Sequence, residues 1–351
     1  MTLPELFVAQ AGACGRLGSP FMDRMLHLCA RNMPPDHEIT RRLQSWPGDA
    51  TALGAAIVLR FAGALHALVL RDLHPDLTAA YPPNTVDDTT LWSAIRAAMG
   101  RHQTEILHWL DSAPQTNEVR RSAAMIAAAC LLAERCPGLP LRLSELGASA
   151  GLNLWFDHYA LSLPVGTTRG AQDPVITLTP DWQGPLPPDL PFTIADRRGV
   201  DLNPLSPDDP QARLRLRSYT WPDQADRMAR LDAALTIATP VVDRGDAGDW
   251  LHARLARPTP GQIDLVFHTI AWQYFPASTD AACRAALADA ATRATPDTPL
   301  AHLWVEAAPD QKLASARLTL WTGAPEPEIL PLGQMDPHGR QFIAAPPFRL
   351  S

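Results

Sequence analysis

Apolar residues recur at helical spacing over about the first 112 residues of the chain. In the stretch SPFMDRMLHLCARNM, Ser19 can cap a helix that begins at Pro20, and apolar positions follow at helical intervals. The segments GDATALGAAIVLRFAGALHALVL and DDTTLWSAIRAAMGRHQTEILHWLDS show a similar pattern, and no strand-like alternation interrupts them. The pattern predicts an all-helical subdomain over residues 1–112.

The pattern changes after this region. One more helical stretch ends at the tripeptide CPG, a stop signal, and short apolar runs then alternate with helical segments. Strands separated by helices are typical of a mostly parallel sheet with crossover helices. The last two runs, ARLTLWTG and PEILPLG, lack an intervening helix and predict an antiparallel hairpin at the sheet edge. We therefore predict an α/β core over residues 113–351, with a turn-rich insertion at about 161–191.

The stretch LRLSELGASAG is typical of a strand followed by a glycine turn. Glu145 lies near the carboxyl end of the strand, and Gly147 and Gly151 flank the turn. In open α/β sheets ligands bind beyond the carboxyl ends of the strands, and a glycine lets a ligand approach the backbone. The spacing does not match the GxGxxG fingerprint of dinucleotide-binding proteins. The loop therefore indicates either another cofactor or an ordinary strand-to-helix turn.

ELGASAG resembles (D/E)xGxxxG, the first motif of the class I S-adenosylmethionine-dependent methyltransferases. The resemblance implies a Rossmann-like core in which this loop passes under the amino-acid end of S-adenosyl-L-methionine and Glu145 approaches its ammonium group. Ser149 stands where that family often has a middle glycine. The chain also resembles, over nearly its full length, a family of functionally uncharacterised bacterial proteins with this core. That resemblance rests on TNEVRRSA, LSELGASAGLNLWFDHY, RRGVDLNP, WPDQADRMARLDAA and FHTIAWQYFP.

Two later stretches resemble further motifs of the methyltransferases. The resemblance implies that Asp201, in RRGVDLNPL, receives the ribose hydroxyls, and that Asp246 and Ala247, in VVDRGDAGDWL, contact the adenine. For Asp201 the alternative is a helix or turn cap, and for Asp246 it is an ordinary Gly-Asp turn. Asn153 and Asp201 are further apart than the roughly 20 residues expected between a glycine turn and its ribose acid. The predicted insertion accounts for the excess.

Asn117 and Arg121 precede the first strand and would share one face of a helix. An arginine fork binds a carboxylate at two points, so we predict that this pair holds the carboxylate of the cofactor. A capping pair with a surface ion pair is the alternative. The predicted cofactor contacts are Asn117, Arg121, Glu145, Gly147, Ser149, Gly151, Asn153, Asp201, Asp246 and Ala247.

The stretch IDLVFHTIAWQYF resembles the fourth motif, where the methyl acceptor binds. His268 directly follows the apolar run and is the predicted general base; the alternative is a histidine held by hydrogen bonds beneath the pocket. Tyr274 would belong to an aromatic wall, or else to ordinary core packing. Glu306 ends AHLWVEA and would lie beside the same site, or on the surface. The predicted catalytic residues are therefore His268, Glu306 and Tyr274.

Composition limits the possible partners. The net charge is −7 and no basic run of five residues occurs, which argues against nucleic acid. The longest apolar run is interrupted by Arg60 and His66, so it does not predict a membrane span. Five cysteines without CxxC spacing, and no secretory signal, predict free thiols in the cytoplasm. No HExxH motif or Cys/His cluster suggests a metal.

The methyltransferase resemblance implies S-adenosylmethionine-dependent methyl transfer. The acidic charge, and a helical subdomain that could cover the open end of the sheet, favour a small-molecule acceptor. The alternative is a protein of the same fold that binds S-adenosylmethionine or S-adenosylhomocysteine without methyl transfer, as a sensor or in another reaction. A nicotinamide-dependent oxidoreductase is a third class, which the missing GxGxxG disfavours. The sequence identifies neither the acceptor nor the oligomeric state.

Overall fold

A computed structural model describes residues 1–307 and 312–348 of the chain. The chain divides into two compact units. The first comprises Met1–Thr116 together with Asp209–Ala229, and the second comprises Asn117–Asp208 together with the chain from Arg230 onward.

Within the described residues the helices follow one another along both units. The α-helices are α1 (Leu3–Arg16), α2 (Pro20–Asn32), α3 (Glu38–Gln44), α4 (Ile57–Leu70), α5 (Pro75–Ala80), α6 (Asp88–Arg101), α7 (Gln103–Leu110), α8 (Ser122–Arg135), α9 (Pro210–Ser218), α10 (Ala225–Ile237), α11 (Ala247–Arg254) and α12 (Ala277–Ala291). Short 3₁₀ helices lie at Val119–Arg121, Leu152–His158, Pro164–Gly166 and Trp272–Tyr274. In the parts of the chain described, no helix combines the length and the apolar character that crossing a membrane requires.

The strands all lie in the second unit. They are β1 (Leu141–Leu146), β2 (Tyr159–Ser162), β3 (Thr168–Gly170), β4 (Ile176–Leu178), β5 (Asp181–Gln183), β6 (Ile194–Asp201), β7 (Val242–Arg244), β8 (Ile263–Thr269), β9 (Leu300–Glu306), β10 (Ala314–Trp321), β11 (Glu328–Met335) and β12 (Gln341–Ala344).

Helices α1 to α7 enclose an apolar core in the first unit, so the chain does begin with a helical region. The start of α2 shows how the sequence determines this region. The hydroxyl of Ser19 accepts a hydrogen bond from the backbone N–H of Met22 at 3.2 Å, and Pro20 occupies the first helical position. Both features match the capping pattern predicted for this stretch.

Residues 209–229 belong to the helical unit, whereas the sequence analysis assigned them to the α/β core. Helix α9 packs against α4, and Trp221 lies in the same apolar core. Gly63 of α4 permits this approach, because a Cβ there would lie only 2.4 Å from Cε1 of Tyr219. Periodicity shows which face of a helix is apolar but not which element covers that face, so the sequence did not reveal this excursion.

The second unit is built on a large mixed sheet with the strand order β5-β12-β11-β10-β9-β8-β1-β6-β7. Strands β7, β6, β1, β8 and β9 are mutually parallel. Strand β8 is buried at every position, as expected for a central parallel strand with both faces covered. A mostly parallel central sheet is therefore confirmed.

The carboxyl-terminal part of the sheet is antiparallel. Strand β10 pairs with both β9 and β11 in antiparallel register, which confirms the predicted hairpin. The antiparallel part extends further than predicted, because β12 also pairs with β11.

The predicted insertion has its own strands. Strands β2, β3 and β4 form a small separate sheet, and β5 joins the edge of the large sheet beside β12. There the indole of Trp182 stacks on the ring of Phe342 at a centroid distance of 4.3 Å. The connection from β1 to β6 differs from the expected crossover, since a short 3₁₀ helix and these strands take the place of a long α-helix.

Candidate functional site

The parallel strands end together at one edge of the large sheet, and their order reverses there. From β1 the chain proceeds outward to β6 and β7 on one side, and it later returns to β8 and β9 on the other. In open α/β sheets ligands bind at such a reversal, beyond the carboxyl ends of the strands. The candidate site therefore lies around the segments that follow β1 and β8.

The loop after β1 adopts the left-handed backbone conformation at three positions. The φ angles are 67° at Gly147, 54° at Ser149 and 72° at Gly151. A Cβ on Gly147 would lie 2.6 Å from Cβ of Ala271, and one on Gly151 would lie 2.8 Å from a methyl carbon of Val242. The glycines therefore let the loop pack closely against neighbouring segments, so the space beside Gly147 is filled by protein.

Glu145 is the buried carboxylate at the end of β1, with only 2% of its surface exposed. Its Oε2 atom has no hydrogen-bond partner in the part of the chain that the structure describes. Burial raises the pKa of Glu145 well above its ordinary value, and the nearby charge of Asp201 raises it further. A hydrogen bond with Asn153 and the charge of Arg121 lower this pKa, but their effect is smaller than that of burial. The hydroxyl of Ser149 is likewise buried and without a partner among the described residues. Two oxygen atoms are thus available to a ligand that donates hydrogen bonds.

Asn117, Arg121 and Asn153 hold the loops around this carboxylate. The Oδ1 of Asn117 accepts from the backbone N–H of Leu152 at 2.9 Å. The Oδ1 of Asn153 accepts from the hydroxyl of Ser122, also at 2.9 Å. The structure therefore brings both asparagines to the predicted site, where each also has a structural hydrogen bond.

Arg121 joins two distant segments of the chain. Its Nη1 donates to the carbonyl of Thr269, at the end of β8, and its Nε donates to the carbonyl of Pro337, each at 2.8 Å. To bind a cofactor carboxylate at two points, as predicted, Arg121 would need the guanidinium N–H groups, and two of its nitrogen atoms already donate to these carbonyls. The contacts observed fit a residue that orders the edge of the site.

Asp201 supports the glycine loop from the end of β6. Its Oδ2 accepts from the backbone N–H of Ser149 at 2.9 Å, and its Oδ1 accepts from that of Asn203 at 2.8 Å. A carboxylate offers about four acceptor positions, so these two bonds leave capacity for further donors. The contacts of Asp201 are those of a turn cap, the alternative considered above.

Asp246 caps helix α11, whereas the alternative considered for it in the sequence was an ordinary Gly-Asp turn. Its Oδ1 accepts from the N–H of Gly248 at 2.8 Å, and its Oδ2 accepts from the hydroxyl of Thr279 at 2.5 Å. The hydrogen bond from Thr279 is the main reason why the pKa of Asp246 is lowered. Ala247 is buried as the first residue of α11. Capping accounts for the contacts of Asp246.

His268 is fully buried and has protein partners at both ring nitrogens. Its Nδ1 lies 2.6 Å from Oε1 of Glu306, and its Nε2 lies 3.1 Å from Nε2 of His302. Because the carboxylate must accept, Nδ1 of His268 donates to Glu306, and Nε2 of His268 shares the second hydrogen bond with His302. A general base needs a nitrogen that faces the acceptor. The geometry instead fits the alternative of a histidine held by hydrogen bonds beneath the pocket.

Glu306 is buried at the end of β9 and organises the segment that follows β8. Its Oε1 also accepts from the backbone N–H groups of Ala271 and Trp272, at 2.9 and 3.0 Å. Burial raises the pKa of Glu306, but the hydrogen bond and charge of His268 and the two N–H groups outweigh it, so the pKa is lowered overall. Glu306 lies in the interior rather than on the surface.

Tyr274 is 56% exposed, so it does not belong to the core. It ends the 3₁₀ helix that begins at Trp272, which is buried and packs against His268 at a ring-centroid distance of 4.7 Å. The indole N–H of Trp272 donates to Asp280 at 2.5 Å. Trp272 therefore belongs to the core, and Tyr274 lies outside it.

Sequence reasoning missed the turn between β11 and β12, which the structure brings to the same edge. Asp336 accepts from the backbone N–H of His338 at 3.0 Å and from the guanidinium of Arg340 at 2.7 and 3.0 Å. A Cβ on Gly339 would lie 2.7 Å from Cβ of Arg120, so the turn packs closely against this residue. The next residue, Arg121, donates to the carbonyl of Pro337 in the same turn. The stretch DPHG has ordinary turn chemistry, so the turn itself was recognisable, but not its neighbour.

The second missed residue is His302, in the middle of β9. Burial lowers the pKa of His302 well below its ordinary value, and the charges of His268, Arg317 and Arg284 act in the same direction. A histidine in the apolar run AHLWVEA indicates a buried polar contact, although the sequence does not show that the partner is His268.

Comparison with known proteins identifies one family. A family model described as "Uncharacterized protein conserved in bacteria (DUF2332)" matches residues 4–343. Neither the curated proteins nor the solved structures gave a match.

Proposed function

Since the chain belongs to the DUF2332 family of uncharacterised bacterial proteins, we propose a function from the geometry of its site. We propose that the protein binds S-adenosyl-L-methionine and transfers its methyl group to a small-molecule acceptor. The observation that carries the proposal is the unpartnered Oε2 of Glu145, buried at the end of β1 where the strand order reverses.

A buried carboxylate oxygen without a partner is costly to fold. Burial raises the pKa of Glu145, which means that the charged form is poorly stabilised. A cationic ligand with N–H donors would remove both penalties. The ammonium of S-adenosylmethionine has this chemistry, and the methyltransferase resemblance assigns it to Glu145.

The remainder of the loop fits the same cofactor. The hydroxyl of Ser149 is a second buried acceptor, and Asp201 retains acceptor capacity for the ribose. The parallel strands have the order of a Rossmann-like core, which supports the fold expected from the resemblance.

The helix after the glycine loop disfavours a dinucleotide. A pyrophosphate is held by the amino terminus of a long helix. Here a seven-residue 3₁₀ helix, Leu152–His158, follows the loop, and it is interrupted by non-helical angles at Trp155. This element suits a cofactor without phosphates better than NAD or NADP.

When bound, the cofactor supplies a methyl group already activated by its sulfonium. The chain's part in the reaction is then to bind, orient and exclude water. Glu145 would hold the ammonium, Asp201 would position the ribose, and the Glu306-anchored segment at Ala271 and Trp272 would form the wall beside the loop. Alignment of this kind contributes roughly 7–11 kcal/mol to catalysis.

The buried position of His268 favours a second candidate function. Both of its ring nitrogens contact protein groups, so it does not supply an accessible base. A protein of this fold that binds S-adenosylmethionine or S-adenosylhomocysteine without methyl transfer would not need one. The two functions share the cofactor and differ in turnover.

Isothermal titration calorimetry with S-adenosylmethionine, S-adenosylhomocysteine, NAD and NADP tests the proposal. We expect the first two to bind and the nicotinamides not to bind. Asp201→Ala should weaken S-adenosylhomocysteine by about 1–3 kcal/mol, the cost of leaving buried hydroxyls without a charged partner.

Asp196→Ala is the matched control, because Asp196 lies on the same strand at its opposite, amino-terminal end. It should leave the affinity unchanged. Binding of NAD with no binding of S-adenosylhomocysteine would refute the proposal. Binding of S-adenosylhomocysteine without methylation of any compound in metabolite pools treated with radiolabelled cofactor would favour the second function.

A further inference from the structure

Glu306 uses its two carboxylate oxygens very differently. Oε1 receives three donors, from His268 Nδ1 and from the backbone N–H groups of Ala271 and Trp272. Oε2 is equally buried and receives none from the residues that the structure describes. A buried acceptor in this state calls for an explanation, such as a missing water, an ion or a ligand.

The donors on Oε1 fix the carboxylate in place. Together they hold the pKa of Glu306 below its ordinary value in spite of burial. The group therefore presents a negatively charged oxygen in a region of low dielectric, where a hydrogen bond from a cation is strong. A positively charged N–H donor would therefore bind Oε2 more strongly than an alcohol would.

Glu306 is connected directly to the proposed cofactor loop. It binds the N–H of Ala271, whose Cβ occupies the space beside Gly147. The preceding residue, Ile270, has a φ angle of 53°, a left-handed conformation that is rare for a β-branched residue. Such strain concentrates at functional sites.

Aromatic rings lie around the hydrogen bonds that join Glu306 to His268. Trp272 and Trp304 lie with their ring centroids 4.7 and 4.8 Å from that of His268. Indole rings favour cations nearby. Arg284 already lies over Trp272 at 5.5 Å, so the rings are in a setting that accepts positive charge.

From this geometry we propose that Oε2 of Glu306 binds an N–H donor of the methyl acceptor, and that the acceptor is a small amine. It would bind as an ammonium and release one proton to solvent before its nitrogen takes the methyl group from the sulfonium, which leaves as the neutral thioether. The inference rests on the proposed function for its reaction, but the amine subsite is a claim about binding alone. It gives Glu306 the role of a substrate-binding group, where the sequence analysis predicted a catalytic residue.

Calorimetry with n-butylamine as the probe, and with n-butanol as its neutral counterpart, tests the subsite on the full chain saturated with S-adenosylhomocysteine. We expect saturable binding of the amine at least tenfold tighter than that of the alcohol. Glu306→Gln should reduce amine affinity at least tenfold, because the amide oxygen can retain the bonds of Oε1 while an N–H₂ group replaces Oε2.

Glu328→Gln is the matched control. It makes the same chemical change at a more exposed carboxylate of β11, which pairs with Arg135. It should leave amine affinity within twofold of the unaltered protein. Equal affinity of the unaltered protein for amine and alcohol, or an unchanged amine affinity in Glu306→Gln, would overturn the inference.

Infrared difference spectroscopy of the unaltered protein gives a second readout, which applies even where Glu306→Gln fails to fold. With S-adenosylhomocysteine already bound, n-butylamine should shift a carboxylate band and n-butanol should not. An unchanged spectrum would refute the amine subsite. S-adenosylhomocysteine binding without amine binding refutes this inference alone, whereas amine binding without S-adenosylhomocysteine binding refutes the proposed function alone.

Discussion

The two ends of the same parallel strands differ in whether their buried polar groups have partners within the protein. At the amino end, Arg142 of β1 donates to Asp264 of β8 at 2.6 Å and to the carbonyl of Arg254 at 2.7 Å. Arg254 in turn donates to the hydroxyl of Ser144 and the carbonyl of Leu143, both at 3.2 Å. Burial raises the pKa of Asp264, and Arg142 acts against that shift. The charges at this end are compensated within the protein.

At the carboxyl end, buried acceptors remain without donors among residues 1–307 and 312–348. They are Oε2 of Glu145, the hydroxyl of Ser149 and Oε2 of Glu306. Left-handed φ angles at Ser149 and Ile270 accompany them. One sheet therefore has an end where Arg142 and Asp264 are paired and an end where these three acceptors are not. Under the function proposed above, a bound ligand would supply donors to these acceptors.

Removal of the Arg142 side chain should change the free energy of unfolding most, because it breaks the ion pair at the amino end of the strands. Arg142→Ala leaves Asp264 buried without its partner, which typically costs about 3 kcal/mol. Urea denaturation should show this loss in the free energy of unfolding. Arg24→Ala breaks a more exposed ion pair, with Asp88, and should cost less than about 1 kcal/mol.

Binding of S-adenosylhomocysteine should survive in Arg142→Ala wherever the protein remains folded, because the substitution lies at the opposite end of the strands. A stability equal to that of the unaltered protein would show that the ionic network does not support the sheet.

The compensated and uncompensated ends were not equally predictable from sequence. Element types follow from local patterns, so the cap at Ser19, the stop before β1 and the parallel sheet were all recognisable. The pairing of Arg142 with Asp264 was not, because it depends on which strands become neighbours. The same limit explains why the packing of α9 against α4 was not predicted.

In the site, sequence reasoning located residues better than it described their contacts. Glu145 and Asp201 lie at the strand ends indicated by their motifs. The burial of His268 was also readable, since IDLVFHT has the near-continuous apolar character of a central parallel strand. Its partners Glu306 and His302 come from β9, and a pattern within one strand cannot reveal them.

Glu145→Gln should increase the free energy of unfolding, whereas Arg142→Ala should lower it by a larger amount. Glu145 has a raised pKa in the folded protein because of its burial. Replacing its costly charge with a neutral amide should stabilise the unliganded protein at pH 7 by about 1–2 kcal/mol. It should weaken S-adenosylhomocysteine at the same time, because the ammonium loses its counter-charge.

The pH dependence checks the origin of that gain. The folded state holds the proton of Glu145 more tightly than the unfolded state, whose glutamate pKa is about 4.3. The contribution of Glu145 to stability is thus fully present below that value and is lost as pH rises through the folded pKa. The stability advantage of Glu145→Gln should therefore be absent near pH 4 and grow as the pH increases. A constant advantage at every pH would mean that charge burial is not its cause.

The smallest expected effect concerns Ser149, where backbone strain and an unpartnered hydroxyl occur in one residue. Ser149→Gly removes both, so it should stabilise the protein by about 1 kcal/mol, the lower end of the cost of a left-handed non-glycine residue. Ser149→Ala removes the hydroxyl but keeps the strained backbone, so it separates the two contributions in thermal or urea unfolding. If the hydroxyl serves a ligand, both substitutions should weaken S-adenosylhomocysteine equally, although only the glycine relieves the strain. Unchanged affinity in both variants would limit the ligand-binding role at this edge to the carboxylates.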